Sequence, residues 1–218
     1  MRHSNRETGW LSRNRWGLGL LPLATVCALA ASSDRVKPYW WDADLHEPVP
    51  AAQGEWLGYS QPYTLDDGEH VMSLRARLDS VHRLSAEEAA GATGYVLPAG
   101  AVAVRVTLSV QADPATPLTG CSMALRDADG NRYTYVPTLV ADGQPTSPCV
   151  PADAPGPNAT FGELSMPGPD EQQRPASYTV TPVWVVPAAA TFTEADLWWD
   201  LPEYIAFRAS SSKPSQTP

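Results

Sequence analysis

Catalytic signatures are missing from this sequence, and the residues that usually build them are scarce. There is no Gly-x-Ser-x-Gly elbow, no phosphate-cradling glycine loop and no dinucleotide fingerprint. Histidine occurs four times, at His3, His46, His70 and His82, in spacings that match no zinc pattern. Cysteine occurs three times, as Cys27, Cys121 and Cys149. A thiol nucleophile needs a partner imidazole and an activating environment, and His82 alone lies at a plausible distance in sequence. The run Asp127-x-Asp129-Gly130-Asn131 suggests calcium, but an EF-hand loop needs its glycine at the sixth position and a glutamate at the twelfth. A tight turn uses the same residues. No enzymatic activity, cofactor or metal is therefore expected.

Positive charge is also in short supply. Lys and Arg number 15 against 24 Asp and Glu, a net charge of −9. Four of the cations, Arg2, Arg6, Arg13 and Arg15, crowd into the first fifteen residues beside one acid, Glu7, so the remainder is more acidic than the whole. Such a surface repels nucleic acid and anionic lipid headgroups. No nucleic-acid partner is expected.

Long apolar runs are absent except for one. Residues 16–31 carry no charge and follow the arginine-rich leader. Cationic flanks resist translocation, so the N-terminus is expected in the cytoplasm and the bulk of the chain outside it. Sixteen helical residues span about 24 Å, short of the roughly 30 Å hydrocarbon core. Local bilayer thinning covers that mismatch, and Trp16, Tyr39, Trp40 and Trp41 suit the two interfaces. The reading is a retained signal anchor; the alternative is a signal peptide cleaved after Ala30, since Ala28-Leu29-Ala30 fits a cleavage site. Ala24-Thr25-Val26 is a poor approach to a lipidated cysteine, so Cys27 reads as a small apolar residue in the helix.

What is abundant is the mark of a β-domain. Met72, Leu74, Ala76 and Leu78 alternate with polar residues, and so do Val102, Val104, Val106, Leu108 and Val110. Period two with β-branched residues is the pattern of half-buried strands. Cys121, Met123 and Leu125 open a third strand, 127–131 makes a turn, and Tyr133 and Tyr135 return as a hairpin arm. Further strands are expected over 178–186, 195–200 and 204–208. Ser85 and Glu88 form a capping box for a single helical turn. Eight prolines and four glycines over 142–175 indicate a surface excursion with little ladder pairing. The pair Cys121 and Cys149, alone on the exported side, is read as a disulfide.

These elements give an expected all-β fold, an antiparallel immunoglobulin-like sandwich behind one N-terminal transmembrane helix. The divisions are a basic leader over 1–15, the anchor over 16–31, a juxtamembrane linker over 32–68, the sandwich over 69–208 and a disordered tail over 209–218. Leu125-x-Asp127-x-x-Gly130-x-x-Tyr133, the later cysteine, Val185-Val186-Pro187 and the closing Tyr204-Ile205-Ala206-Phe207 resemble the Ig-like exported domains of Gram-positive lipoproteins. With its leader and its Ala-, Pro- and Asp-rich remainder, the chain is similar to single-pass membrane proteins of high-GC actinobacteria. That resemblance implies fold and location and brings no catalytic residue with it.

Tryptophan is the positive hint of recognition. Trp198, Trp199 and Trp56 are the candidate binding residues, because aromatic faces on a sandwich stack sugars or anchor proteins. Trp184 is assigned to the core, and Trp198 and Trp199 to opposite faces of one strand. The expected function is non-enzymatic: a membrane-anchored envelope protein whose sandwich mediates protein–protein interaction or assembly. The alternative is a cell-wall glycan or peptidoglycan-binding module that uses exposed tryptophans.

Overall fold

The computed structural model describes residues 14–36, 39, 41–137 and 145–209. Most of the leader, Trp40 and most of the expected C-terminal tail lie outside the described residues. The chain divides into two compact units, Met1–Leu45 and His46–Pro218.

In the first unit, α1 (Arg15–Val36) is 22 residues long and contains Pro22. It is longer than the 16–31 run because Ser32, Ser33, Asp34 and Arg35 bring no helix breaker; Pro38 follows only two residues later. Its length is about 33 Å, but its ends carry Arg15, Asp34 and Arg35, so the uncharged stretch is lengthened only by Ser32 and Ser33. Pro22 cannot donate to the Leu18 carbonyl, and one turn on the Thr25 hydroxyl donates to the Leu21 carbonyl at 2.9 Å. Among the described residues α1 is the one helix long and apolar enough to cross a membrane, and its apolar side chains are exposed all round.

The second unit is mostly β and is built from two five-stranded sheets and a small hairpin. The strands are β1 (Glu47–Ala52), β2 (Leu57–Leu65), β3 (Gly68–Arg83), β4 (Ala101–Ala112), β5 (Ser122–Asp127) and β6 (Arg132–Thr134), then β7 (Asn158–Thr160), β8 (Glu163–Ser165), β9 (Ser177–Val180), β10 (Val183–Pro187), β11 (Phe192–Trp198) and β12 (Glu203–Arg208). One sheet has the order β1-β12-β11-β5-β6. The other runs β10-β4-β3-β2, with β9 also on β4. All pairings are antiparallel except β1 with β12.

Both sheets contribute to one core. The alternation in β3 and β4 puts Leu74, Ala76, Leu78, Val104, Val106, Leu108 and Val110 inward, and the second sheet answers with Met123, Leu125, Ala195, Leu197, Ile205 and Phe207. Trp184 is in this core, as its apolar flanks imply, with its indole N–H donating to the Tyr133 carbonyl at 3.0 Å. The capping box at Ser85 starts α2 (Ala86–Thr93), which ends at left-handed Gly94 and so makes two turns rather than one. Ala89 and Ala92 of α2 pack with Ala103 and Val183 in a second, smaller apolar cluster.

Two expectations are corrected. The linker assigned to 32–68 contains β1 and β2, and the compact unit begins at His46. The pattern was hard to read because Pro48, Pro50 and Pro62 interrupt it; proline is tolerated there because β1 and β2 are edge strands. The strand expected over 178–186 is divided into β9 and β10 at Thr181-Pro182, with both halves on β4. The excursion over 142–175 has little ladder pairing, as expected; among its described residues the short hairpin β7–β8 supplies it.

Candidate functional site

The β2–β3 hairpin overhangs its sheet. Ladder pairing of β3 with β4 begins only at Leu74, so residues 68–73 pair with β2 alone. The inner face of this overhang has no sheet opposite it. The β4–β5 loop, the residues after β11 and the β7–β8 tip face it instead, and a groove of about 610 Å³ lies between them. Its apolar lining comes from Leu65, Met72 and Trp199, with Tyr63 beside them and Pro62 and Pro117 on the walls. Gln61, Thr119 and Asp200 supply its polar groups, while Thr64 and Glu69, a cross-strand pair on the outer face of the hairpin, stand at its edge. The volume falls within the range of small-molecule sites.

Hydrogen bonds tie the groove's frame at three corners. Gln61 bonds the Asp200 backbone from both ends of its amide, donating to the carbonyl at 2.9 Å and accepting from the N–H at 3.3 Å. The Thr119 hydroxyl donates to Asn158 Oδ1 at 2.7 Å, holding the base of β7 to the β4–β5 loop. The Asp66 N–H donates to the Gly162 carbonyl at 2.7 Å, docking the β7–β8 tip on the β2–β3 turn. A side chain at Gly162 would be strained by its φ of +84° and would push aside the Asp66 carboxylate, whose Oδ1 would stand 2.1 Å from the Cβ. The walls are thereby set before any ligand arrives.

Phe161 is the unusual residue of this frame. It lies in the two-residue turn between β7 and β8 with φ +53°, and Gly162 follows with φ +84°. Two successive positive φ values define a turn that favours Asn-Gly, Asp-Gly or Gly-Gly. A bulky residue there is a conformational outlier. The Phe161 side chain gains nothing from the fold in return, since it is 98 % exposed. Sequence reading passed over it; the signal was an aromatic directly before a glycine in a segment with no apolar periodicity.

The three candidate tryptophans separate. Trp199 reaches the groove: its ring stacks on buried Tyr59 with centroids 6.0 Å apart, and its N–H donates to the Leu118 carbonyl at 3.0 Å. It is half-buried, so one part of the ring is fixed and another is open. Trp198, at the end of β11, is also half-buried and does not line the groove. Trp56 does not line it either; Arg77 and Arg75 cover its ring at 4.7 and 5.4 Å.

A charged cluster occupies the other face of β11. Asp196 is fully buried, with Arg126 Nη2 at 3.0 Å from its Oδ2, while Arg126 Nε stands 3.2 Å from Glu194. Burial pushes the Asp196 carboxyl up to about 6, against the pull of the Arg126 guanidinium. This is an ion-pair network across neighbouring strands, with no adjoining cavity among those described.

The remaining sequence candidates are structural. Cys121 and Cys149 form a disulfide with Cα atoms 6.3 Å apart, both buried. The Asp127 carboxylate is used up by its own turn: Oδ1 accepts the N–H groups of Asp129 and Asn131 at 3.0 and 2.8 Å, and Oδ2 accepts the Asn131 amide and the Tyr133 hydroxyl, both at 2.9 Å. The Asn131 amide is foremost among the bonds that hold this carboxyl below its ordinary range. No group of three potential metal ligands occurs among the described residues. The chain matches no family model, no curated protein and no solved structure.

Proposed function

We propose that this chain is a membrane-anchored, extracytoplasmic binding protein whose ligand site is the groove at Trp199. The observation that carries the reading is Phe161. A side chain that strains its own turn and contacts almost nothing within the fold is free to meet a ligand outside it. It stands at the rim of a concave, hydrogen-bonded frame with an aromatic floor, which is how recognition sites are built.

Binding rather than catalysis is favoured by the groove's chemistry. Its lining contains no histidine, cysteine or serine, and no hydrogen bond joins its threonine hydroxyls to its carboxylates. Glu69 and Asp200 are both exposed to water. The extracytoplasmic location is supported by α1 behind its arginine-rich leader and by a buried disulfide, a bond kept in oxidising compartments.

An immunoglobulin-like sandwich is the fold reading that suits this arrangement. In its support, β4 and β5 lie in different sheets, β11 sits between β5 and β12, and β1 runs parallel to β12 on that sheet's edge. The disulfide departs from the type, since Cys121 precedes β5 and Cys149 belongs to the excursion, so it ties loops rather than joining the two sheets through the core.

Recognition of an envelope protein is the second reading, favoured by the outward projection of the Phe161 ring. Photo-crosslinking in living cells tests the site for both. A photoreactive residue at position 161 should give a specific adduct, and one at Val71, which is also exposed, should not. Equal yields at the two positions, or none at 161, would remove the groove from consideration.

A further inference from the structure

We propose that the groove takes a neutral sugar chain, an inference that rests on the groove being the ligand site. Charge narrows the choice first. The ionisable carboxylates of the lining are Glu69 and Asp200, with Asp66 and Asp67 at the adjoining turn, and no lysine or arginine lines the groove. A ligand bearing phosphate, sulfate or carboxylate would meet only like charge there.

The mixture of surfaces narrows it further. An indole and a thioether share the lining with carboxylates, an amide and hydroxyls. A lipid chain would bury the apolar part but leave the polar groups desolvated without partners, at a cost for each. A peptide adding itself as a strand would meet Pro62 within edge strand β2, where there is no N–H to offer. A pyranose ring presents both surfaces at once. Its C–H face lies on Trp199, and its equatorial hydroxyls donate to the Asp200 carboxylate and to the Thr119 hydroxyl oxygen. Phe161 at the rim gives a following ring a second aromatic face, which selects a chain over a single sugar. The frame is fixed beforehand by the Gln61–Asp200, Thr119–Asn158 and Asp66–Gly162 hydrogen bonds, so little ordering cost falls on binding.

Calorimetry on the full-length chain in nanodiscs of zwitterionic lipid tests this, with cellopentaose, chitopentaose and mannopentaose as neutral probes. A hyaluronan fragment serves as the anionic arm and a proline- and lysine-rich peptide as the basic arm. At least one neutral pentaose should bind, and the hyaluronan fragment should not. Phe161→Gly and Trp199→Phe should each weaken the binding by about tenfold or more, with Phe161→Gly leaving thermal stability intact or higher. Failure of all three pentaoses, or binding that neither substitution weakens, would overturn the sugar assignment. Should the basic peptide then bind and lose affinity with Phe161→Gly, the groove would stand as a peptide site. No binding in any arm would count against the groove itself.

Discussion

Phe161 sets stability against function at a single position. Its φ of +53° is one that asparagine or glycine adopts readily, and the Gly162 that follows completes the turn those residues favour. Phe161→Asn should therefore stabilise the domain by about 1 kcal/mol while removing the exposed ring. Urea unfolding measures the first effect; a loss of stability would mean that the phenyl group packs in a way its exposure rules out. Trp199 behaves differently. It was legible as a candidate because aromatic rings are useful at interfaces, but the sequence could not tell it from Trp198 or Trp56. The distinction depends on Tyr59, Leu118 and the arginines around Trp56, contacts made by residues distant in the chain.

Among the elements, the disulfide and β11 carry separable energies. The Cys121–Cys149 bond closes a loop across a separation of 28 residues, for which the chain-entropy model gives about 3.5 kcal/mol. Replacing both cysteines with serine should lower unfolding stability by about 2–4 kcal/mol. Thiol titration of the denatured wild type should find Cys27 alone reactive, and two more thiols would show that the bond does not form in the cell. In β11, Asp196 has a folded pKa of about 6, above the ordinary carboxylate value near 4. The folded state thus holds this proton more tightly than the unfolded state does. The carboxyl's contribution is full below about pH 4 and is lost as pH rises through about 6. Asp196→Asn should flatten that part of the stability profile, and an unchanged slope would locate the titration elsewhere. Truncating Arg126 to alanine should cost about 3 kcal/mol above pH 6, because it removes the nearer countercharge of a buried carboxylate and leaves only Arg132, 4.0 Å away.

The same scale shows what sequence patterns resolve. β3, β4, β5 and the Asp127 turn were readable, since period-two alternation and turn chemistry are local signals. The two edge strands β1 and β2 were not, because their prolines imitate a linker and their place is decided by partners far along the chain, β12 for β1 and β3 for β2. The groove was invisible for the same reason. It arises from an overhang, a difference in register between two ladders, and register is a property of pairs of strands.

At the level of the whole molecule, a helix long and apolar enough to cross a bilayer precedes a β-domain with a groove at Trp199, and the proposed function puts that groove outside the cytoplasm. A reporter active only outside the cytoplasm, fused at Pro218, should be active, and activity of a cytoplasm-only reporter there would overturn the orientation. One labelling experiment reaches both halves of the account. With cysteine placed at position 161 (F161C), a membrane-impermeant maleimide should label intact cells at once, because that position is open and on the outer side. Cys27 should stay unlabelled within α1, and a neutral pentaose should slow the reaction at 161. Labelling that requires permeabilised cells would contradict the location, and labelling at full rate with every pentaose present would contradict the groove as the site where a sugar chain is held.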